Sequence, residues 1–350
     1  MEFTPDYRHV AAAARNERPA RLPIYEHLIN DAFIEAALAE PLTGLGGEGP
    51  AGLRRYFQRY CEFYRRMTYD TVSYEVCITS ILPGGGALLG ERAGPIQSRA
   101  DFERYPWADL PQRFWELAAP RFELLAECLP PGMKAVGGIG NGAFEISEDL
   151  VGFEQLCYMQ VDDPELFADL YRRIGDLVVE LWGTFLERHA EAYCVCRIGD
   201  DMGFKTGTLL APATLIEHVA PQYKRVVGLI HKAGFPFLLH SCGCIFDIMD
   251  ALLDAGIDAK HSNEDVIAPF DEWIERYGGR IGLFGGIDLD IVCRESPEAV
   301  YERSLELGAR FREATGGYAM GSGNSIPDYV PVEGYLAMIR AGQELRRRES

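Results

Sequence analysis

A histidine and a cysteine two residues apart, His240 and Cys242, carry the strongest chemical signal in this sequence. Both follow a short apolar run, residues 235–239, that we predict to be a strand. Side chains alternate along a strand, so residues two apart point the same way. Glu264 follows the next strand candidate, residues 257–260. Because Zn²⁺ prefers imidazole, thiolate and carboxylate ligands, we predict a zinc site here. A hydrogen-bonded histidine beside a small buried cysteine is the structural alternative.

Acidic side chains follow other strand candidates. Asp200 and Asp201 come directly after residues 193–198, Asp288 follows a pair of glycines, and Glu145 closes the third strand region. Burial raises the pKa of a carboxyl group and allows it to exchange protons near neutral pH. We therefore predict catalytic roles for these four residues. Helix caps or loop salt bridges are the alternative for each.

A further set of side chains, also next to strand ends, is predicted to bind substrate. The aromatic and apolar members would wall an aromatic substrate, with ordinary core packing as the alternative. The set consists of Glu26, His27, Tyr74, Glu75, Phe144, Met202 and Asn324. His261, close to Glu264 in the sequence, is a candidate neighbour of the metal ligands.

Short apolar runs that alternate with helical patterns predict the elements that position these residues. The strand candidates are residues 22–25, 71–74, 134–136, 193–198, 235–239, 257–260, 280–284 and 318–320. Strands that alternate with helices are parallel, because each return needs a crossover. Eight such units favour a (β/α)₈ TIM barrel, an α/β fold, over an open doubly wound sheet. We predict one domain over residues 1–350, with residues 1–20 as a helical N-terminal extension. In such barrels the chemistry lies at the carboxyl ends of the strands.

Composition excludes several classes of partner. The 350 residues carry a formal net charge of −19. A surface this acidic repels the phosphate backbone of nucleic acids and anionic lipids. We therefore expect neither nucleic-acid nor membrane binding. The nine cysteines are an odd number in a chain large enough to build its own core. Reduced thiols, and with no signal peptide a cytoplasmic location, are therefore expected.

Several motifs resemble the uroporphyrinogen decarboxylase superfamily. They are PQYK at 221–224, HSCG at 240–243, YGGR at 277–280, GGID at 285–288 and SGNSIP at 322–327, with a weaker match at 149–154. The superfamily includes zinc methyltransferases such as methylcobamide:coenzyme M methyltransferase and corrinoid-dependent O-demethylase components. The resemblance implies a (β/α)₈ barrel, a zinc ion, a corrinoid carried by a separate partner protein, and a homodimer.

Two departures from the superfamily pattern separate its branches. The decarboxylase binds its polyanionic substrate with arginines after the first strand, whereas here no arginine occurs between Arg21 and Arg54. Glu26 in that segment would repel a polycarboxylate. Asn324 occupies the position where the methyltransferases have a third zinc ligand, a cysteine. A histidine and cysteine followed by a glutamate 24 residues after the histidine also resemble the zinc site of cobalamin-independent methionine synthase, which implies Glu264 as the third ligand.

We therefore predict zinc-assisted methyl transfer between a corrinoid protein and a small methylated substrate or thiol. A decarboxylase acting on a less anionic substrate, with Asp200 or Asp201 and a protonated His240, is the first alternative. A barrel that binds a ligand without turnover is the second.

Overall fold

The computed structural model describes residues 3–90 and 92–349. Its strands are β1 Thr71–Cys77, β2 Lys134–Gly140, β3 Tyr193–Gly199, β4 Gly203–Phe204, β5 Gly207–Thr208, β6 Phe237–His240, β7 Ala259–His261, β8 Gly282–Ile287 and β9 Tyr318–Ser322. Seven of them form a parallel sheet in the order β1-β2-β3-β6-β7-β8-β9, while β4 and β5 form a separate antiparallel pair.

Helices follow the strands of the parallel sheet and cover its outer face. They are α1 Arg8–Ala14, α2 Asp31–Leu38, α3 Gly49–Arg66, α4 Arg99–Arg104, α5 Leu110–Cys128, α6 Ala143–Val151, α7 Phe153–Asp162, α8 Pro164–Arg188, α9 Pro212–His218, α10 Ala220–Lys232, α11 Met249–Ala255, α12 Phe270–Tyr277, α13 Leu289–Arg294, α14 Pro297–Ala314 and α15 Val332–Arg348.

The parallel sheet is curled, because residues from six of its strands meet in one buried apolar cluster with α1. The members from the sheet are Val136, Cys194, Val195, Leu238, Ala259, Phe284 and Ala319. Helix α1 contributes Val10, Ala13 and Ala14 to the same cluster. It lies at the amino ends of the strands: a Cβ added to Gly282, the first residue of β8, would come within 2.1 Å of the Ala13 carbonyl oxygen. The opposite, carboxyl end of the sheet is left for the polar residues.

The α/β class and the parallel sheet confirm the sequence prediction, but the first predicted strand, 22–25, is reduced to a bridge. Ile24 pairs in parallel with Met320 of β9, where Tyr25 N–H donates to the Met320 carbonyl. Pro23 can accept a hydrogen bond but has no N–H to donate. On the other side, the Ser73 hydroxyl donates to the Glu26 carbonyl at 2.7 Å. A side-chain hydrogen bond, therefore, joins this segment to β1.

Three further observations concern the N-terminal segment, the cysteines and the helices. Helix α1 lies within the predicted N-terminal extension. All nine cysteines have free thiols in this structure. Among the described residues, no helix combines the length and apolar character needed to cross a bilayer.

Candidate functional site

A buried ion pair joins β1 to β3 near the polar carboxyl end of the sheet. The Arg197 guanidinium donates to Glu75 Oε2 at 2.7 and 3.0 Å. Its remaining contacts are the Tyr25 hydroxyl, the His27 carbonyl and the Ser73 hydroxyl, at 2.7–2.8 Å. Glu75, predicted to bind substrate, thus has one carboxylate oxygen committed to the protein. Arg197 was not predicted, although a charged residue inside an apolar strand was a visible signal.

Two neighbouring strands bring His240 and His261 together. The residues are register partners at the ends of β6 and β7, and their Nδ1 atoms lie 2.7 Å apart. His261 Nε2 lies 3.0 Å from the Ser322 carbonyl, which only accepts hydrogen bonds. His261 must therefore carry its proton on Nε2, and its Nδ1 accepts from His240 Nδ1–H. This assignment leaves His240 Nε2 with a free lone pair.

That lone pair faces a thiol and a carboxylate. Cys242 Sγ lies 3.5 Å from His240 Nε2, which agrees with the predicted same-side placement of residues two apart. Asp201 Oδ1 lies 3.9 Å from the same nitrogen and accepts the Cys242 backbone N–H at 2.8 Å. The ligand atoms of the three residues all lie within 4.8 Å of one another. Imidazole, thiolate and carboxylate are a zinc-type donor set.

Burial is the main influence on the protonation states of these groups. Burial, with smaller contributions from nearby positive charges, holds the pKa of His240 well below its usual range, so the imidazole is neutral, the form that binds metals. Burial, and then the Asp201 carboxylate, raises the pKa of the Cys242 thiol to about 12. A thiol in this environment stays protonated at neutral pH unless a cation binds beside it.

A second group of potential ligands, His27 with His240 and His261, does not fit a metal ion. The rings of His27 and His240 are stacked with centroids 3.5 Å apart and planes inclined by only 5°. Imidazole lone pairs lie in the ring plane, so two stacked parallel rings cannot direct them at one ion between the rings. His27, predicted to bind substrate, covers one face of His240, and its buried Nδ1 has no hydrogen-bond partner within the part of the chain that the structure describes.

Asn324 lies between Cys242 and Glu264. Its Nδ2 is 3.5 Å from Cys242 Sγ and donates to Glu264 Oε1 at 3.1 Å. Glu264, the predicted third ligand, is outside the close group that Asp201 forms with the other two, within the described part of the chain. The structure therefore brings two predicted ligands into direct contact and connects the third to them through an amide.

Asp200 is a helix cap. Its carboxylate accepts the backbone N–H groups of Phe144 and Glu145, at 3.3 and 2.8 Å, in the first turn of α6. The Tyr223 hydroxyl donates to it at 2.9 Å. Burial, opposed by these hydrogen bonds, raises the pKa of Asp200 to about 7. The Asp200 oxygens thus already accept hydrogen bonds from the protein itself. A catalytic role for Asp200 stays a prediction.

Glu145 lies beside Asp201 at the carboxyl end of the parallel sheet. Its Oε2 accepts from the Asn141 amide at 2.7 Å and its Oε1 from the Asp201 backbone N–H at 3.3 Å. Burial, followed by the negative charges of Asp200 and Asp201, holds the pKa of Glu145 well above its usual range. These contacts connect Glu145 to the group that contains His240 and Cys242.

The remaining predicted residues have structural contacts. Both Asp288 oxygens accept backbone N–H groups, one from Asp290 in the first turn of α13 and one from Asp265. Tyr74 packs between helices, with its ring 5.0 Å from that of Phe57. The others in the predicted set are buried: Phe144 and Met202 lie in the main apolar core, and Glu26 accepts the backbone N–H and hydroxyl of Ser322.

Lys260 was missed by the sequence analysis. Its ammonium group is buried, donates to the Ser241 carbonyl at 3.4 Å and to the Ser262 carbonyl, and lies 3.9 Å from the centre of the Trp273 ring. It therefore joins the backbone just before Cys242 to the backbone that follows β7. A lysine within a short apolar strand was the signal that could have identified it.

Comparison with known proteins adds a family and a fold. The family model of uroporphyrinogen decarboxylase (URO-D) matches residues 60–345. A methyltransferase from Methanosarcina mazei shares the fold with a TM-score of 0.76 at 16% sequence identity, over 96% of this chain and 97% of that one. A xylose isomerase-like TIM barrel protein from Mycobacterium smegmatis, in complex with magnesium, has a TM-score of 0.38 at 11% identity, over 93% and 97% of the chains. No curated protein matches the sequence.

Proposed function

The chain belongs to the uroporphyrinogen decarboxylase family, and from this membership we propose that it is a zinc-dependent methyltransferase. It transfers a methyl group between a small methylated substrate, or a thiol, and a corrinoid carried by a separate protein. The observation that carries the proposal is the group of His240 Nε2, Cys242 Sγ and an Asp201 oxygen within 4.8 Å of one another. The fold shared with the Methanosarcina mazei methyltransferase supports the same branch of the family.

His240 and Cys242 are two of the proposed metal ligands, and a carboxylate is the third. The short distances favour Asp201, whereas the sequence pattern favours Glu264, which is hydrogen-bonded to Asn324. Three protein ligands leave one position for a reactant. Zinc in such a site supplies Lewis acidity, which lowers the pKa of a bound thiol or eases the departure of an ether oxygen.

The protein's own residues prepare this site in three ways. The chain of hydrogen bonds from Ser322 through His261 presents the unprotonated Nε2 of His240. Lys260 holds the Ser241 carbonyl, next to Cys242, and the Ser262 carbonyl after β7, so it ties together the two segments beside the proposed ligands. Glu145 accepts the backbone N–H of Asp201 and so orients the loop that brings the carboxylate to the group.

The decarboxylase alternative has less support. It requires a protonated His240, but burial holds the pKa of that imidazole well below its usual range. It also requires a free acid at Asp200 or Asp201, and Asp200 is occupied as the cap of α6. A binding protein without turnover remains the second alternative, and the assay below separates it from an enzyme.

The test combines metal analysis with an activity assay. Protein purified without chelators is mixed with a reduced corrinoid protein and a panel of methoxylated and other methylated compounds, and methylation of the corrinoid is followed spectroscopically. We expect about one zinc per chain, and a methyl transfer that His240→Ala abolishes. Tight ligand binding with no turnover would favour the binding protein. Transfer that persists in His240→Ala, or in zinc-free protein, would overturn the proposed role of the site.

A further inference from the structure

A cavity that the proposed function does not use lies between helix α6 and the segment that follows β1. Its volume is about 570 Å³, a size typical of small-molecule sites. Its walls include Leu82, the glycine-rich run 84–86, Leu88, Arg92, Asn141 and Asp149. Apolar, basic and acidic side chains therefore face one space, and their chemistry indicates what that space would bind.

Asp149 is the residue that points to a ligand. It is only 3% exposed, and its Oδ1 accepts the backbone N–H groups of Gly86 and Leu88 at 2.7 and 3.3 Å. Its Oδ2 is buried as well, but that oxygen has no hydrogen-bond partner among the described residues. A buried acceptor without a donor is unfavourable, so a donor on a bound molecule would stabilise this oxygen.

The glycine-rich run brings its backbone against Asp149 without supplying the missing donor. A Cβ added to Gly85 would come within 2.2 Å of Asp149 Oδ2, so only glycine allows the chain to approach the carboxylate this closely. Gly86, whose N–H donates to Oδ1, has a φ of 115°, which also favours glycine. The run thus satisfies one carboxylate oxygen and has no side chains that could donate to the other.

Arg92 gives the cavity a charge of the opposite sign. It is exposed, and it forms no ion pair with another residue that the structure describes. Arg92 would repel a ligand that carries only an ammonium group, and Asp149 would repel one that carries only a carboxylate. A ligand with both groups can pair with both side chains. Leu82 and Leu88 favour an apolar remainder of that ligand.

We propose that this cavity binds a small zwitterion, an α-amino acid with an apolar side chain. Its ammonium group donates to Asp149 Oδ2, and its carboxylate pairs with Arg92. The site is separate from the proposed metal centre and does not depend on zinc or on methyl transfer. Asn141 lies between the two sites: its Oδ1 accepts from the Thr79 hydroxyl at 2.9 Å, and its Nδ2 donates to Glu145 Oε2 at 2.7 Å.

Calorimetric titration with L-leucine and with two analogues that each lack one charge tests this site. The analogue 4-methylpentanoate lacks the ammonium group, and 3-methylbutylamine lacks the carboxylate. We expect L-leucine to bind at least about tenfold more tightly than either analogue, because it alone makes both charged hydrogen bonds. Asp149→Asn should remove most of the advantage over 4-methylpentanoate, and Arg92→Gln most of the advantage over 3-methylbutylamine.

Asp163→Asn, at the cap of α8, and Arg303→Gln, an exposed residue of α14, are the matched controls and should leave all three affinities unchanged. Thermal unfolding of each variant verifies that it is folded. The wild-type comparison and Arg92→Gln decide the matter even if Asp149→Asn does not fold. The site would be overturned if L-leucine did not bind, if it bound no more tightly than either analogue, or if Arg92→Gln bound it as tightly as the wild type.

Discussion

His261 Nδ1 lies 2.7 Å from His240 Nδ1, and this contact determines which nitrogen of His240 is free to bind a metal. The Ser322 carbonyl fixes the proton of His261 on Nε2, so His261 accepts from His240. A partner behind a metal-binding histidine holds both its tautomer and its orientation. His261 is therefore a positioning residue for the proposed zinc site.

Replacing His261 by Phe should weaken zinc binding by about 10- to 100-fold, because the ring remains but the acceptor for His240 Nδ1–H is lost. Competition with a chromophoric chelator measures the affinity. His231→Phe, a change in an exposed histidine that is bonded to Asp258 on the outer surface, serves as the control and should bind zinc normally. Wild-type affinity in His261→Phe would show that the contact does not prepare the ligand.

Asp201→Asn and Glu264→Gln distinguish the two candidates for the third ligand. If Asp201 binds zinc, Asp201→Asn lowers zinc affinity by at least about tenfold, since the amide is a poorer ligand than the carboxylate. Glu264→Gln then has a smaller effect, because it alters only the hydrogen bond with Asn324. The reverse order of the two losses would identify Glu264 as the ligand. Zinc affinity of both variants is measured by the same chelator competition.

Arg197→Met should destabilise the protein by about 3–5 kcal/mol, because it leaves the Glu75 carboxylate unpaired in the interior. Urea unfolding gives the free energy of unfolding. Arg280→Met is the matched control: it breaks an ion pair with Asp250 in which both side chains are largely exposed, and little loss is expected. Similar losses in the two variants would contradict the structural role assigned to the Arg197 ion pair.

Glu26→Gln should change how stability depends on pH. Burial, opposed by the Ser322 hydrogen bonds, raises the pKa of Glu26 to about 8, whereas an unfolded glutamate has a pKa of about 4.3. Between these values the folded chain holds the extra proton, so the free energy of unfolding falls as pH rises, by on the order of 1 kcal/mol per pH unit. Glutamine cannot titrate, so the variant should gain stability relative to the wild type from pH 5 to pH 8.

Urea unfolding at pH 5, 6.5 and 8 measures this slope. Glu62→Gln is the control, because the Arg65 side chain lowers the pKa of Glu62 to about 2 and places its titration below this range. Parallel pH profiles for Glu26→Gln and the wild type would contradict a raised pKa at Glu26.

The sequence contained enough information for the order of strands and for part of the site. Alternation along a strand placed His240 and Cys242 on one side, and the structure has their ligand atoms 3.5 Å apart. Asp201 was predicted at a neighbouring strand end and as a partner of His240 in the decarboxylase alternative, but not as a third member of this ligand group. Its approach to the pair depends on a long-range hydrogen bond from the Cys242 backbone to the loop after β3.

Position at a strand end did not reveal which of the predicted carboxylates also cap helices. Asp200 and Asp288 were predicted alongside Asp201 on the same grounds, yet the structure gives both of them backbone N–H partners in a helix. Asp288 caps the next helix along the chain, α13, whereas Asp200 caps α6, more than 50 residues earlier in the chain, a long-range contact that sequence periodicity does not reveal. The pairing of His240 with His261 was likewise not visible in the sequence. It depends on the register between β6 and β7, which makes the two histidines partners.

X-ray absorption at the zinc edge tests the central claim most directly, because it counts sulfur and lighter ligands around the metal. We predict one sulfur at about 2.3 Å and the remaining nitrogen or oxygen ligands at about 2.0–2.2 Å, with the sulfur shell lost in Cys242→Ala. Zinc well below one per chain, or a spectrum without sulfur that Cys242→Ala leaves unchanged, would contradict a metal centre at His240 and Cys242.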